Sequence, residues 1–219
     1  MMRIVTRVLA VWGAVSAAGA VVLWVFLRER YRRGGPMPAS QAPMLLDPRR
    51  PMLQPVGETL RSFGLRPGET VLELGPGPGY FSVEASRIVG PGGRVLCVDL
   101  QPDMTRILQR RLDDAGVRDA HPVAADATRL PLADGCIDRA FLVTVLGEIV
   151  DRPAALRDLR RVLKPGGELA IMETLTDPDY QLEASVQDLC AAYGFAVRDV
   201  RHRRLGYTAV FTTGECSPG

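Results

Sequence analysis

Val71-Leu72-Glu73-Leu74-Gly75-Pro76-Gly77-Pro78-Gly79 is an apolar strand that breaks into an alternating Gly/Pro loop just before the helix-compatible stretch Tyr80 to Val89. Glycines at alternate positions remove Cβ atoms where a nucleoside must approach, and they allow backbone angles closed to other residues. The helix that follows adds unpaired N–H groups at its start. Alone, the loop implies a nucleotide-like ligand at a strand-to-helix turn. A second apolar strand, Arg94 to Val98, ends in Asp99, roughly 25 residues after the first loop glycine, where an acid can accept both hydroxyls of a ribose. Asp126 follows a third, His121 to Ala125. Glu73, Asp99 and Asp126 therefore fall on one carboxyl edge of a parallel sheet, the edge where open α/β sheets bind ligands.

Downstream the pattern alternates. Strands at Arg94–Val98, His121–Ala125, Ile137–Val143 and Glu168–Met172 interleave with helices at Pro102–Ala115, Pro153–Leu163 and Leu182–Tyr193. Alternation of this kind predicts a mostly parallel sheet with crossover helices on both faces. Phe195–His202 and Tyr207–Thr213 are separated only by Arg203 to Gly206, too short for a crossover helix, so the seven-stranded sheet ends in an antiparallel hairpin.

The 219 residues, 47% of them hydrophobic, supply one well-filled domain plus an appendage. A formal charge of +2 is too mild to point to nucleic acid, and Lys164 is the one lysine in an arginine-rich chain. Cys97, Cys136, Cys190 and Cys216 are widely spaced with no paired C-x-x-C, which predicts a reducing compartment and no structural zinc.

Val8 to Leu27 is twenty uncharged residues, the length of a membrane-spanning helix. Trp24 falls near its end, and Arg28, Arg30, Arg32 and Arg33 follow at once. The basic flank predicts a single-pass anchor over residues 1–33 with the carboxyl-terminal bulk in the cytoplasm, although Arg3 and Arg7 lie on the other side. Ala18-Gly19-Ala20 offers a competing cleavage site, but Val21 to Leu27 stay strongly apolar beyond it. Residues 34–55 are proline-rich without sustained periodicity and read as an extended tether. Leu53, Val56, Leu60 and Phe63 recur at helical spacing, which predicts an amphipathic helix over Met52–Phe63 covering the sheet or the ligand mouth. The folded domain is expected over residues 56–214, with a short tail beyond.

Taken together, three motifs resemble the class I S-adenosylmethionine-dependent methyltransferases, in particular the methyltransferase type 11 and ubiquinone/menaquinone-biosynthesis-like branch. They are Glu73 to Gly79 with Asp99; Asp126-Ala127 with Leu130-Pro131-Leu132 and Asp138; and Arg161 to Gly167 leading into Leu169–Glu173. The resemblance implies a Rossmann-like fold with S-adenosyl-L-methionine as cofactor. Glu73, Gly75, Gly77 and Gly79 would hold its methionine part, and Asp99 its ribose, with Leu100 and Gln101 beside the adenine. Asp126 and the Ala127 N–H would meet the adenine edge, and Thr144 the sulfonium side. Asp99 and Asp126 could instead cap helices or form turns, and Lys164 to Gly167 reads as a helix stop and turn. A nicotinamide-dependent oxidoreductase is the nearest rival, but Gly77 to Ser82 offers only G-x-G-x-x-S.

Methyl transfer from a sulfonium is an in-line displacement, so alignment and exclusion of water supply much of the acceleration. A base is required only where the acceptor must lose a proton. Glu148, after the fourth strand, is the best ionisable candidate; Tyr80, Glu173, Tyr180, His202 and Tyr207 are weaker ones. Only Thr174 to Gln181 separates the fifth strand from the next helix, which leaves little room for a cap over the acceptor. The anchor and the missing cap together point to a small hydrophobic or lipid-like acceptor at a membrane. A cofactor-binding membrane partner without turnover is the alternative from another class. Oligomeric state is left open.

Overall fold

The computed structural model describes residues 35–214 of the chain. The expected membrane span, Val8–Leu27, and Cys216 lie outside them. Among the described residues no helix is long and apolar enough to cross a membrane.

Seven strands form one sheet in the order β3-β2-β1-β4-β5-β7-β6. They are β1 (Thr70–Leu74), β2 (Arg94–Asp99), β3 (Ala120–Ala124), β4 (Ile137–Val143), β5 (Leu163–Thr174), β6 (Phe195–Arg203) and β7 (Gly206–Thr213). β1 to β5 pair in parallel, while β7 runs antiparallel to both β5 and β6. The expected terminal hairpin is present, with a two-residue turn at Arg204-Leu205. The strand order reverses at β1, and the chain leaves β1 and β4 on opposite sides of that switch, which opens a crevice at the carboxyl edge.

Strand alternation divides the core into two faces. Leu72, Leu74, Ala140, Leu142, Leu169 and Ile171 pack on one. Val71, Cys97, Phe141, Val143, Ala170 and Met172 pack on the other. Each helix presents a matching stripe. Met104, Leu108 and Leu112 recur every fourth residue, and Ala155, Leu156, Leu159 and Val162 follow the same logic. Burying one such Leu or Phe contributes about 1.5–3 kcal/mol. Asp151 caps its helix by accepting from the Ala154 N–H at 2.9 Å.

Several elements depart from the sequence reading. The helix after the Gly/Pro loop begins at Ser82, because Tyr80 and Phe81 are spent in the turn that brings the chain back over the sheet. The helix expected over Met52–Phe63 is two: α1 (Arg50–Leu53) and α2 (Val56–Phe63). Pro55 forces Gln54 out of helical angles, to φ −132° and ψ 74°. The stretch read as a tether contains a 3₁₀ helix, Ala39–Leu46, joined to the domain by the Gln101 side chain. Finally, Lys164 to Gly167 does not separate helix from strand but bulges within β5, since Leu163 already pairs with Ile137 before Glu168 pairs with Arg139. The remaining helices are α3 (Ser82–Val89), α4 (Pro102–Asp114), α5 (Arg152–Val162) and α6 (Glu183–Ala192).

Candidate active site

A cavity of about 590 Å³ opens at the carboxyl edge of the sheet. Its first half is built by the ends of β1, β2 and β3. Glu73 is 3% exposed, and its Oε2 accepts from the Ser82 hydroxyl at 2.5 Å. Burial pushes its carboxyl up to about 7, against the opposing pull of the Ser82 bond and the Arg50 charge. The chain then turns through Gly75, at φ 68°, whose N–H donates to Val98 O at 2.8 Å. A Cβ on Gly75 would lie 2.5 Å from the Val145 side chain, so only glycine lets this loop pass under the end of β4.

Asp99 is 8% exposed and its Oδ1 accepts from the Gln101 N–H at 2.9 Å. Burial raises its carboxyl, opposed by backbone N–H bonds from Gln101 and Gly77. Gln101 in turn reaches the amino-terminal segment: Nε2 donates to Met37 O at 2.8 Å, and Oε1 accepts from the Ala39 N–H at 3.2 Å. Asp126 is exposed, with Oδ1 held by the Thr128 N–H at 2.8 Å in a turn.

The second half is built after β4 and β5. Thr144 has φ 55°, rare for a β-branched residue, and its N–H donates to Met172 O at 2.8 Å. Strain of this kind costs on the order of 1–3 kcal/mol and persists only where surroundings enforce it. Asp177 shares a hydrogen bond with the Thr144 side chain, and burial raises its carboxyl to about 6. Glu148 lines the same wall; burial and the neighbouring Asp177 push it up to about 8, opposed by a backbone N–H bond from Met37. Opposite these acids, the Arg50 guanidinium lies 4.2 Å from the centre of the Tyr80 ring. Its Nη1 donates to Leu45 O at 2.6 Å and its Nε to Gln54 Oε1 at 2.7 Å.

Of the residues expected to hold a ligand, Glu73, Gly75, Gly77, Asp99, Leu100, Gln101, Asp126, Ala127 and Thr144 all line this cavity, as does Glu148. Gly79 does not. At φ 85° it faces α4, where a Cβ would meet Leu108 Cδ1 at 2.4 Å, so its smallness serves packing. Among the weaker candidates only Tyr80 lines the cavity. Glu173 is buried behind it, pushed up to about 8 by burial, and accepts from the Gln181 N–H at 3.3 Å. Tyr207 is buried and donates to Gln181 O at 3.0 Å, while His202 is exposed against Glu183 at 2.7 Å.

Sequence reasoning missed Arg50, Met37, Leu45 and Asp177, all in the cavity wall. Asp177 was accessible from its place just past β5, at the ligand edge. Nothing local marked the other three, which come from the proline-rich stretch.

Comparison with known proteins places this geometry in a family context. A family model for the methyltransferase domain matches residues 71–167. The ubiquinone/menaquinone biosynthesis C-methyltransferase UbiE of Vibrio vulnificus (strain YJ016) is 38% identical over 138 residues, covering 63% of this chain and 52% of that protein. The protein of the same description from Shewanella sp. (strain ANA-3) is 36% identical over 140 residues, covering 64% and 54%. The chain thus spans about half the length of these curated relatives. Among solved structures, an S-adenosylmethionine-dependent methyltransferase from Aquifex aeolicus superposes with a TM-score of 0.77 at 25% identity, covering 81% of this chain and 99% of that one. The [4+2]-cyclase SpnF shares the fold at a TM-score of 0.65 and 17% identity, over 74% of this chain and 80% of that one.

Proposed function

We infer that this chain, an S-adenosylmethionine-dependent methyltransferase by its matched domain and its fold, transfers the methyl group to a small hydrophobic or lipid-like acceptor that must shed a proton. One observation carries the reading. A single cavity has Glu73 and Asp99 on one wall and the raised carboxyl of Glu148 on the other.

The residues fit the cofactor. Gly75 and Gly77 let the loop backbone pass close by Val145 and Leu45 in the cavity wall, where a Cβ would crowd them, and the acids suit the cofactor's groups. Asp99 would accept from the ribose hydroxyls and Asp126 from the adenine amine, with the Ala127 N–H beside it. Glu73 would face the ammonium, whose charge favours the ionised carboxylate over its protonated form. Arg50 is the cation available for the carboxylate at that end. Bound there, the cofactor supplies an electrophilic methyl group on a sulfonium with a neutral thioether as leaving group.

Glu148 then acts as general base. A carboxyl near 8 is a far stronger proton acceptor than an ordinary one, and it sits close enough to neutrality to be partly ionised. Such a base is superfluous for an acceptor that is already nucleophilic. It favours a phenol, a thiol or a hydroxylated ring carbon, and the C-methyltransferase description of the relatives agrees with the last. Thr144 and Asp177 form the wall between the base and the cofactor half. Val8–Leu27 is read as a single-pass anchor that keeps the domain at the cytoplasmic face of a membrane.

Incubation of the full chain with methyl-labelled cofactor and a lipid extract, followed by mass spectrometry, tests this reading. Label is expected in an apolar product, at oxygen, sulfur or ring carbon. Label confined to water-soluble amines, or none at all despite full cofactor binding, would sink it; the second result would leave a non-catalytic binding role. Protease access to the domain in inside-out vesicles checks the orientation.

A further inference from the structure

The large apolar side chains that stand exposed among the described residues are concentrated on one edge. Leu100 follows β2, Val150 follows β4, Leu175 and Leu182 flank the β5–α6 loop, and Leu205 tips the β6–β7 hairpin. Met44 belongs to the 3₁₀ turn beside the cavity-lining Leu45. All these positions fall at the carboxyl edge of the parallel strands or on the segment covering it. Only Val197, on the outermost strand, lies elsewhere.

Ordinary surface hydrophobes are scattered; these share the edge at which the cavity opens. Leu100 and Val150 form the rim of the cavity itself, and Val150 is 85% exposed. Leu182 is 65% and Met44 69% exposed, outside the cavity lining. The Leu175 N–H donates to Leu205 O at 2.9 Å, so loop and hairpin tip adjoin. The exposed Arg204 stands next to Leu205, the pairing of a cation with an apolar neighbour that suits the headgroup layer.

We propose that this edge docks on a lipid bilayer, with the cavity mouth facing the membrane. The inference rests on reading Val8–Leu27 as an anchor and the acceptor as lipid-like. Residues 28–34 are all that separate that run from Gly35, and Pro36 already lines the cavity. A seven-residue chain spans at most about 25 Å, so an inserted run holds the mouth close to the bilayer. A second copy of the chain fits this surface poorly, because a partner seated on this edge would cover the mouth of the cavity. Lipid leaves the mouth open, and an apolar acceptor enters without crossing water.

The experiment uses the full chain bound to phosphatidylcholine–phosphatidylglycerol vesicles with brominated acyl chains, which quench tryptophan on contact. The sequence has two tryptophans, Trp12 and Trp24, both within the apolar run, so the wild-type signal reports the anchor alone. Leu182→Trp and Leu205→Trp add a reporter at exposed positions that folding does not need, and Val197→Trp is the control on the far strand. The added emission at 182 and 205 should be roughly halved, and that at 197 unchanged, if the edge lies in the interface. Quenching of the wild type with none at 182 and 205 would leave the anchor standing and overturn the docking face. Equal quenching at 197 would overturn it as non-specific. No quenching anywhere removes the anchor and the docking face together. A blue shift at 182 and 205 that grows with protein concentration, without lipid quenching, would assign the surface to a second copy instead.

Discussion

On the β1–β3 side of the cavity the three acids each have a partner within ten residues, although Gln101 beside them reaches back to Met37 and Ala39, whereas the β4–β5 side is assembled largely from distant pieces. Asp99 is fixed by an N–H two residues on, Asp126 likewise, and Glu73 by a hydroxyl nine residues on. Across the cavity, Glu148 meets Met37, Thr144 meets Asp177, and Arg50 faces both Glu73 and Asp177. Locally closed loops hold the same arrangement whenever their strand forms. The other wall depends on a 3₁₀ segment and a loop beyond β5 arriving together, so it is the half free to vary with the acceptor.

The largest test of that division is Glu148→Gln. Removing the base should lower the rate of methyl transfer by about 10²–10⁴-fold while leaving cofactor affinity within about threefold. The wild-type rate should climb as pH rises through about 8, where Glu148 loses its proton, and the variant profile should be flat there. A variant with wild-type turnover would remove the base from the account.

Arg50→Met should have the next largest effect, about a tenfold loss of cofactor affinity read by calorimetry, because it deletes a cation that faces Glu73 and two bonds that hold Leu45 and Gln54. Unchanged affinity would assign Arg50 to packing of the 3₁₀ segment only. Gly79→Ala separates the two uses of glycine. At φ 85°, with Leu108 in the way, it should cost about 1–3 kcal/mol of stability, seen as a lower Tm, yet the folded protein should bind cofactor normally.

Ligand-free stability gives the smallest effect. Asp177, Glu73, Glu148 and Glu173 hold their protons more tightly when folded, at about 6, 7, 8 and 8, than in the unfolded chain. Their protonated forms therefore favour the folded state, fully at acidic pH below the ordinary carboxyl range. That advantage is lost as pH rises from there through about 8. Glu173→Gln, outside the cavity wall, should raise Tm at pH 9 by about 3 °C and flatten the slope without touching cofactor affinity.

How much of this was legible in the sequence follows the same line. Strand ends with an acid beside a glycine loop are local patterns, so Glu73, Gly75, Gly77, Asp99 and Asp126 could be named before any coordinates. The parallel pairing and its antiparallel end followed from alternation and one short hairpin, whereas the strand order, set by where the crossovers carry the chain, did not. Gly79 misled because a motif glycine and a packing glycine look alike until Leu108 is placed against it. Arg50 and Met37 were hidden in a proline-rich stretch without periodicity, which Gln101 joins to the domain. Pro55 could have warned that Met52–Phe63 breaks, since a residue before proline resists helical angles.

Calorimetric titration with S-adenosyl-L-methionine of the wild type, Asp99→Ala and Glu148→Gln tests the division of the cavity most directly. Asp99→Ala should weaken binding by about 10–100-fold, the loss of charge-assisted bonds to two hydroxyls, while Glu148→Gln binds as the wild type does. Unchanged affinity in Asp99→Ala, or an equal loss in both variants, would contradict it.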